Sequence, residues 1–360
     1  MSKEHSEKKK QINIAATAIA AVLVICLCTV FAMGKKAPGK TETEAVSGAG
    51  TTEAESTQEP VDWDSLDKVT LNQHKYGLLH KVTTWLILGT DASGNEKGTG
   101  EAYQGAMADF LMLVVFDEEN KTYGAIQLNR DTMTEVSLID KQGEGEATAE
   151  IQLCTAHWYG GSRQQNCENT IKAVSKLLGG IPIDGYYEMP MDTIPLLNKQ
   201  AGGVEVKLLE DFTSVDPQMK KGRKMILNDT QAYHYIHDRY GVGDEENTSR
   251  MKRQRQYLGS LVKKIKKQAA SDKKVLARIM NELNPYVVSK ISTKKLTHYA
   301  GSQSEYQYKG LLTIKGPVKT GKALGDGIEH REFYPDASSL EQTVKTLYPL
   351  VAKDELQTAR

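Results

Sequence analysis

Arg250 and Gln254 stand four residues apart in Asn247-Thr-Ser-Arg-Met-Lys-Arg-Gln-Arg-Gln-Tyr-Leu258, and Arg239 lies eleven residues before Arg250. Side chains at i and i+4 share one face of a helix. A guanidinium and an amide therefore point at one target, and the preceding segment brings a second guanidinium. The planar Arg fork matches phosphate oxygens in two-point fashion. The spacing predicts a phosphate grip.

The surrounding pattern alternates strands and helices from about residue 75. Thr84-Trp-Leu-Ile-Leu-Gly89 reads as a buried strand ending at Thr90-Asp91. Phe110-Leu-Met-Leu-Val-Val-Phe116 is a second apolar run, with Asp109 at its start. Tyr123-Gly-Ala-Ile-Gln-Leu128 returns and stops at Asn129-Arg130-Asp131. Three strands in this order form a meander, and polar residues gather at their ends. Helices are expected over Glu168–Leu178, over Thr193–Gln200 capped by Asp192, over Thr230–Asp238, and over Ala337–Tyr348 capped by Asp336. The clearest helix is Ser249–Lys267, with a core stripe of Met251, Leu258, Leu261, Val262 and Ile265. Arg250, Gln254 and Tyr257 fall on another face, free to look into a cleft. The fold class read here is α/β, a central mostly antiparallel or mixed sheet with helices on both faces.

Lys plus Arg and Asp plus Glu number 46 each, so the chain is not the basic type expected of a nucleic-acid binder. Residues 12–33 carry no charge. At about 1.5 Å per residue they span about 33 Å, close to a hydrocarbon core. A cleaved signal peptide is the competing reading, but its core runs only about 7–15 apolar residues. The expectation is one retained transmembrane helix with a cytoplasmic tail (1–11) before it. An acidic disordered spacer (34–74) then leads to an extracellular domain (75–350) and a short tail (351–360). The spacer assignment rests on residues 41–67, which hold eight acidic residues and no basic ones. Cys154 and Cys167 allow either a disulfide or two free thiols. With His157 they lack a fourth zinc ligand and any usual zinc spacing. Gly98-Thr-Gly100 follows no strand and opens no helix, so it is read as loop, not phosphate cradle.

Six segments together resemble the LytR–CpsA–Psr family. They are Ile87-Leu-Gly-Thr-Asp91, Ala108-Asp109-Phe110, Leu128-Asn-Arg-Asp-Thr132, Gly180-Ile-Pro-Ile-Asp184, Ala201-Gly-Gly-Val-Glu-Val206 and Arg250-Met-Lys-Arg-Gln254. The resemblance implies an α-β-α sandwich and a membrane-anchored phosphotransferase. Such an enzyme moves an anionic glycopolymer (teichoic acid, capsule or other wall polysaccharide) from a polyprenyl-pyrophosphate carrier onto peptidoglycan. The lipid would lie in an apolar pocket between sheet and helices, with the pyrophosphate at its mouth. The same resemblance implies that Asp91 and Asp109 hold Mg2+ (or Mn2+), and that Arg130, Arg239, Arg250 and Gln254 contact pyrophosphate. Asp131 would be an acidic neighbour beside Arg130 and Asp109 at the reacting centre. Arg253 would contact phosphate or buttress the site.

Two departures stand out. Met107 and His237 replace arginines common in the family. Hydrogen bonds to charged groups contribute about 1.5–3 kcal/mol each, so two fewer guanidiniums predict a weaker grip or a different polymer. A non-catalytic lipid-carrier scaffold and a pyrophosphate hydrolase are the alternatives. Singly, each residue also has a plain structural reading: Asp91 and Asp109 as turn caps, Arg130 with Asp131 as an ion pair, Arg250 and Arg253 as exposed helix charges.

Overall fold

The computed structural model describes residues 61–358, apart from 92–105, 141, 143, 146, 273, 303 and 304. The expected span at 12–33 and the loop containing Gly98 lie outside the described residues. The described chain opens with a hairpin, β1 (Asp67–Leu71) and β2 (His74–Leu78). An antiparallel meander follows, β3 (Thr83–Thr90), β4 (Ala108–Asp117) and β5 (Thr122–Leu128). The hairpin β6 (Met133–Ser137) and β7 (Thr148–Gln152) leads to helix α1 (Arg163–Leu177). Strand β8 (Gly185–Pro190) then rejoins the sheet parallel to β3. Beyond it come α2 (Ile194–Gln200) and the pair β9 (Val204–Lys207) and β10 (Lys224–Leu227). Helices α3 (Asp229–His237), α4 (Asn247–Ser271) and α5 (Val275–Leu283) follow. Strand β11 (Val288–Ser289) borders β8, and α6 (Thr293–Gly301) leads to β12 (Gln307–Thr313), parallel to β5. A last hairpin, β13 (Val318–Gly321) and β14 (His330–Phe333), precedes α7 (Ala337–Leu347), β15 (Leu350–Ala352) and α8 (Lys353–Thr358).

The central sheet runs β11-β8-β3-β4-β5-β12. It is mixed, with the expected antiparallel meander at its centre. Successive residues of a strand point to opposite faces, and β4 shows the consequence. Leu111, Leu113 and Val115 enter one core with Ala173 and Val174 of α1 and with Leu340, Val344 and Leu347 of α7. Met112, Val114 and Phe116 enter a second, against Leu296 and Tyr299 of α6. A third core gathers α2, α3, α4 and α5. With helices on both faces, the strands read as unbroken apolar runs rather than alternating ones.

Several expectations need correction. Asp192 lies inside a 3-10 turn, Met191–Thr193, and does not cap α2. Helix α1 begins at Arg163, five residues earlier than expected, with the Ser162 side chain accepting from the Gln165 backbone N–H. Tyr257 is fully buried and Leu258 only partly so, because α4 packs on more than one side. The domain boundaries also shift. Strand β1 lies within the expected spacer, and β15 lies partly within the expected tail, yet both pair with β2. A hairpin with β2 orders β1, and pairing across the length of the domain orders β15. Among the described residues no helix is long and apolar enough to cross a membrane.

A chain starting at residue 75 loses β1 and with it Val69 and Leu71, 0% and 1% exposed. Burying an aliphatic side chain is worth about 1.5–3 kcal/mol. The shortened chain should lose about 3–6 kcal/mol in urea unfolding relative to one starting at 61; equal midpoints would show that β1 is dispensable.

Candidate active site at the edge of the sheet

A meander brings the end of β3, the start of β4 and the end of β5 to one edge, and the acidic and basic residues sit there. Asp91 follows β3. Its carboxylate accepts from the Met107 backbone N–H at 2.7 Å, and its own N–H donates to the Met107 carbonyl at 3.1 Å. Asp109 occupies a β-bulge: Gly89 pairs with Phe110 and Thr90 with Ala108, which leaves Asp109 without a partner. A bulge re-aims the extra side chain. Arg130 and Asp131 sit in a turn after β5. The Asn129 side chain accepts from the Asp131 N–H at 3.0 Å, and the Asn129 carbonyl accepts from Thr132 N–H and Oγ1 at 3.1 and 2.6 Å.

The cations on the helical side are held by buried polar contacts. Helix α3 starts at a capping box between Asn228 and Gln231 and ends at His237, just before Arg239. On α4, Arg250 donates to Asn247 Oδ1 through Nε and Nη2 at 3.0 and 2.8 Å. Asn247 donates to Asn129 Oδ1 at 2.7 Å. Two amides thus tie the Arg250 helix to the Arg130 turn. Arg253 points elsewhere. It is 1% exposed, donates to the carbonyls of Tyr235 and Asp238, and pairs with Glu210. Of the two roles left open for Arg253, the structure supports the buttress: it clamps the end of α3 and the segment that carries Arg239.

Carboxylates and guanidiniums alternate in the cleft. Arg130 Nη1 lies 2.5 Å from Asp109 Oδ1, and Arg250 Nη2 lies 3.3 Å from the same oxygen. His237 Nε2 lies 3.7 Å from Asp109 Oδ2. Arg239 Nη1 is 2.7 Å from Asp131 Oδ2, and Arg130 Nε is 3.8 Å from Asp131 Oδ1. Burial pushes the Asp109 carboxyl up, but the guanidiniums of Arg130 and Arg250, with His237 and Arg239, outweigh it and hold it below the usual range. Asp91 moves the other way: burial and the nearby Asp109 charge both raise it. Burial lowers Arg250, while Cys154, Asp109 and Asp131 more than offset burial at Arg130 and raise it.

These groups line a cleft of about 440 Å³ that holds Asp91, Asp109, Arg130, Asp131, Arg239 and Arg250. Gln254 is absent from its wall. It accepts from Gln127 Nε2 at 3.1 Å, donates to the Ile236 carbonyl at 3.3 Å, and lines a separate apolar pocket of about 90 Å³. Gln254, expected as a phosphate contact, is thus held by Gln127 and the Ile236 carbonyl in the wall of the apolar pocket rather than in the wall of the cleft. The apolar pocket lies between sheet and helices, lined by Ile87, Phe110, Met191, Ile194, Ile236 and Leu258 among others. Gly89 in its wall stands two residues before Asp91, and Phe110 directly follows Asp109; both aspartates line the cleft. Its volume is well under the roughly 300–1,000 Å³ of ordinary ligand pockets, so a long tail needs the walls to part.

Met107 places its sulfur 2.9 Å from Arg130 Nη2, and the Cys154 sulfur stands at the same distance. A thioether and a thiol thus occupy the flank of Arg130, and burial raises the Cys154 thiol. Cys154 and Cys167 are both free and buried, which closes the disulfide reading. Cys167 lies 3.6 Å from His157 Nε2 instead. His157 is a core residue, fully buried, its Nδ1 2.8 Å from the Ala106 carbonyl; burial lowers its pKa to about 4.

Sequence reasoning missed Asn129 and Asn247 as positioning residues, although both sit inside the motifs, each adjoining or three residues from an arginine. It also missed Gln152, Leu324, His330 and Arg331, which line the cleft from β7 and the β13–β14 hairpin. No local signal marks them.

The LytR_cpsA_psr family model matches residues 43–348, and the chain belongs to this family. The chain is 27% identical over 252 residues to a Bacillus subtilis protein named polyisoprenyl-teichoic acid–peptidoglycan teichoic acid transferase TagV, covering 68% of this chain and 60% of that protein. A Bacillus cereus transferase named TagU is 27% identical over 179 residues, half of this chain and 51% of its own length. The chain thus spans about half to three-fifths of these curated relatives. The crystal structure of B. subtilis TagV aligns with a TM-score of 0.50 at 26% identity, over 77% of this chain and 98% of that one. A crystallised Streptococcus agalactiae protein aligns at 0.56 and 21% identity, over 77% and 88%, and shares the fold.

Two substitutions separate brace from cleft. Arg253→Met leaves Glu210 buried without its partner, and breaking such a pair costs about 3–5 kcal/mol; urea unfolding should show that loss, and a loss no larger than that of Arg250→Met would refute the brace. Asp91→Asn tests the raised carboxyl. A raised folded pKa means that the charged form is disfavoured in the fold, so wild type loses stability as pH rises through that pKa. The variant should melt higher than wild type at pH 7, with the gap closing as pH falls below the ordinary carboxylate range.

Proposed function

We propose that this protein transfers an anionic glycopolymer from a polyprenyl-pyrophosphate carrier to peptidoglycan, forming a phosphodiester. The observation that carries this reading is the convergence of Arg130, Arg239 and Arg250 with Asp91 and Asp109 in one cleft that adjoins an apolar pocket. The names of the curated relatives support the same chemistry.

The carrier is an amphiphile with a charged centre, and the two cavities accept its two parts. In the reaction an acceptor hydroxyl attacks the glycan-side phosphorus. A new P–O bond forms, the bridging P–O bond to the lipid phosphate breaks, and the hydroxyl proton departs. Negative charge grows on the lipid phosphate as it leaves. Preorganised donors aimed at such charge are the largest catalytic contribution in many enzymes. Arg130 and Arg250 already converge on the Asp109 oxygen and need little reorganisation to meet a phosphate. Asp131 orients Arg239 and Arg130 and so acts as a positioning carboxylate.

Asp91 and Asp109 supply the one or two carboxylates with which Mg2+ (or Mn2+) is usually held beside substrate phosphates. Burial, and after it the nearby Asp109 charge, raise the Asp91 carboxyl, and a divalent cation between the two carboxylates would offset both, which supports this donor set. When bound, the ion would neutralise phosphate oxygens. The uncharged run at 12–33 supports a single-pass anchor with the catalytic domain outside the cell, near the membrane that holds the carrier.

In a transfer assay with a polyprenyl-pyrophosphate glycan, peptidoglycan and Mg2+, Arg130→Ala and Asp109→Ala should each lower attachment by about 10²-fold or more. Undiminished turnover in both would remove the assignment. Release of phosphate without polymer attachment would favour hydrolysis, and bound lipid without turnover under any metal would favour a scaffold.

A further inference from the structure

We infer that the outer face of the β9–β10 pair, together with the lysine-bearing end of α4, lies against an anionic lipid bilayer. The inference rests on the anchored, lipid-carrier reading above and adds which face of the domain meets the membrane.

The strand pair has two unlike faces. Val204, Val206 and Leu227 enter the third core. Successive residues alternate, so Glu205, Lys207, Lys224 and Ile226 face outward, and all are exposed. Lys207 and Lys224 stand directly opposite each other in the register. Like charges so placed destabilise a strand pair. Lys224 has Glu205 at 2.9 Å, whereas Lys207 makes no ion pair among the described residues. Beside them Ile226 is 60% exposed.

Helix α4 extends this face. Gln256 donates to the Lys207 carbonyl at 2.9 Å, and Lys264 donates to the Gly202 carbonyl at 2.7 Å and to that of Gly203. Gly203 lies close under Ile226: a Cβ there would stand 2.6 Å from the Ile226 Cγ2. Between residues 259 and 271, α4 carries Lys263, Lys264, Lys266 and Lys267 and no acidic residue. Lys263 and Lys267, four apart and exposed, fall on the same line of the helix as Gln256, and so beside Lys207. Neither makes an ion pair among the described residues. Lysines near anionic headgroups each add to binding, and an exposed apolar side chain inserts beneath them. Solvation accounts for scattered lysines, but not for two set opposite one another beside an exposed isoleucine. The position also serves the carrier. Leu197 of α2 and Leu258 of α4 wall the apolar pocket, and α2 runs into the Gly202-Gly203 turn. An isoprenoid leaving the bilayer thus meets the pocket along elements that already touch headgroups.

The test uses the full chain in two kinds of nanodisc, phosphatidylcholine alone and an equal mixture with phosphatidylglycerol, and reads the acetylation rate of each lysine by mass spectrometry. Lys207, Lys224, Lys263 and Lys267 should react about tenfold more slowly in the anionic discs, and high salt should remove the difference. Lys172 and Lys176, exposed on α1 across the sheet, should react alike in both. Lys263→Glu with Lys267→Glu, both at exposed positions, should abolish the protection of Lys207 and Lys224, and Ile226→Ser should reduce it. Equal rates in the two discs would overturn the surface, as would protection that survives the double reversal or that Lys172 and Lys176 share equally. If heparin protects the same lysines in neutral discs and anionic lipid does not, the face holds an acidic polymer and the bilayer contact falls. Turnover in the transfer assay without protection would sink the surface alone; protection without turnover would sink the transfer reading alone. A chain that stays out of the discs would sink the anchor and the contact together.

Discussion

Three guanidiniums share one partly buried cleft, and guanidiniums repel one another. Their coexistence depends on Asp109 and Asp131 standing between them. Asp109 takes Arg130 at 2.5 Å and Arg250 at 3.3 Å, while Asp131 takes Arg239 at 2.7 Å. An unpaired buried charge costs several kcal/mol, so the carboxylates are what make the cationic site foldable at all. They also set its chemistry. Any anion that enters must take over contacts the carboxylates already hold.

That alternation of charge is fixed by structure around it. The meander brings three strand ends to one edge, the bulge at Asp109 turns its side chain inward, and the Asn129–Asn247 contact ties the turn to α4. Arg253 stabilises the end of α3 from beneath. Met107 stands where the family pattern has an arginine, and its sulfur and that of Cys154 give Arg130 uncharged, weakly accepting neighbours. The cleft is less positive than it would otherwise be, and Arg130 carries a larger share of any anion's binding.

Much of this was legible beforehand where the signal is local. The strands at Thr84–Gly89, Phe110–Phe116 and Tyr123–Leu128 are strong apolar runs, and the structure places them in the central sheet with ends shifted by a few residues. Asp91, Asp109, Arg130, Arg239 and Arg250 do meet in one cleft. Arg253 and Gln254 are absent from its wall: Arg253 is taken up by the Tyr235 and Asp238 carbonyls and by Glu210, and Gln254, on the face of Arg250 but a turn further on, by Gln127 and the Ile236 carbonyl. Strand β1 forms a local hairpin with β2 across Asn72-Gln73, but it opens in an acidic, polar stretch that reads as spacer; β15 joins β2 from the far end of the chain, which no local pattern shows. The hairpin that walls the cleft carries no motif.

Residue type and spacing alone determined that this chain sets arginines and carboxylates at strand ends and along one helix of an α/β scaffold. These are properties of short segments, in which hydrophobic run, turn residue and charge lie side by side. Only the tertiary structure decided which arginine grips and which braces, and which amide faces a cleft and which faces a greasy pocket. It alone decided that a distant hairpin closes the far wall. Those outcomes depend on contacts between residues more than a hundred positions apart, such as Arg239 with Asp131 and Asn247 with Asn129. Their energies come from burial, and burial is a property of the packed chain.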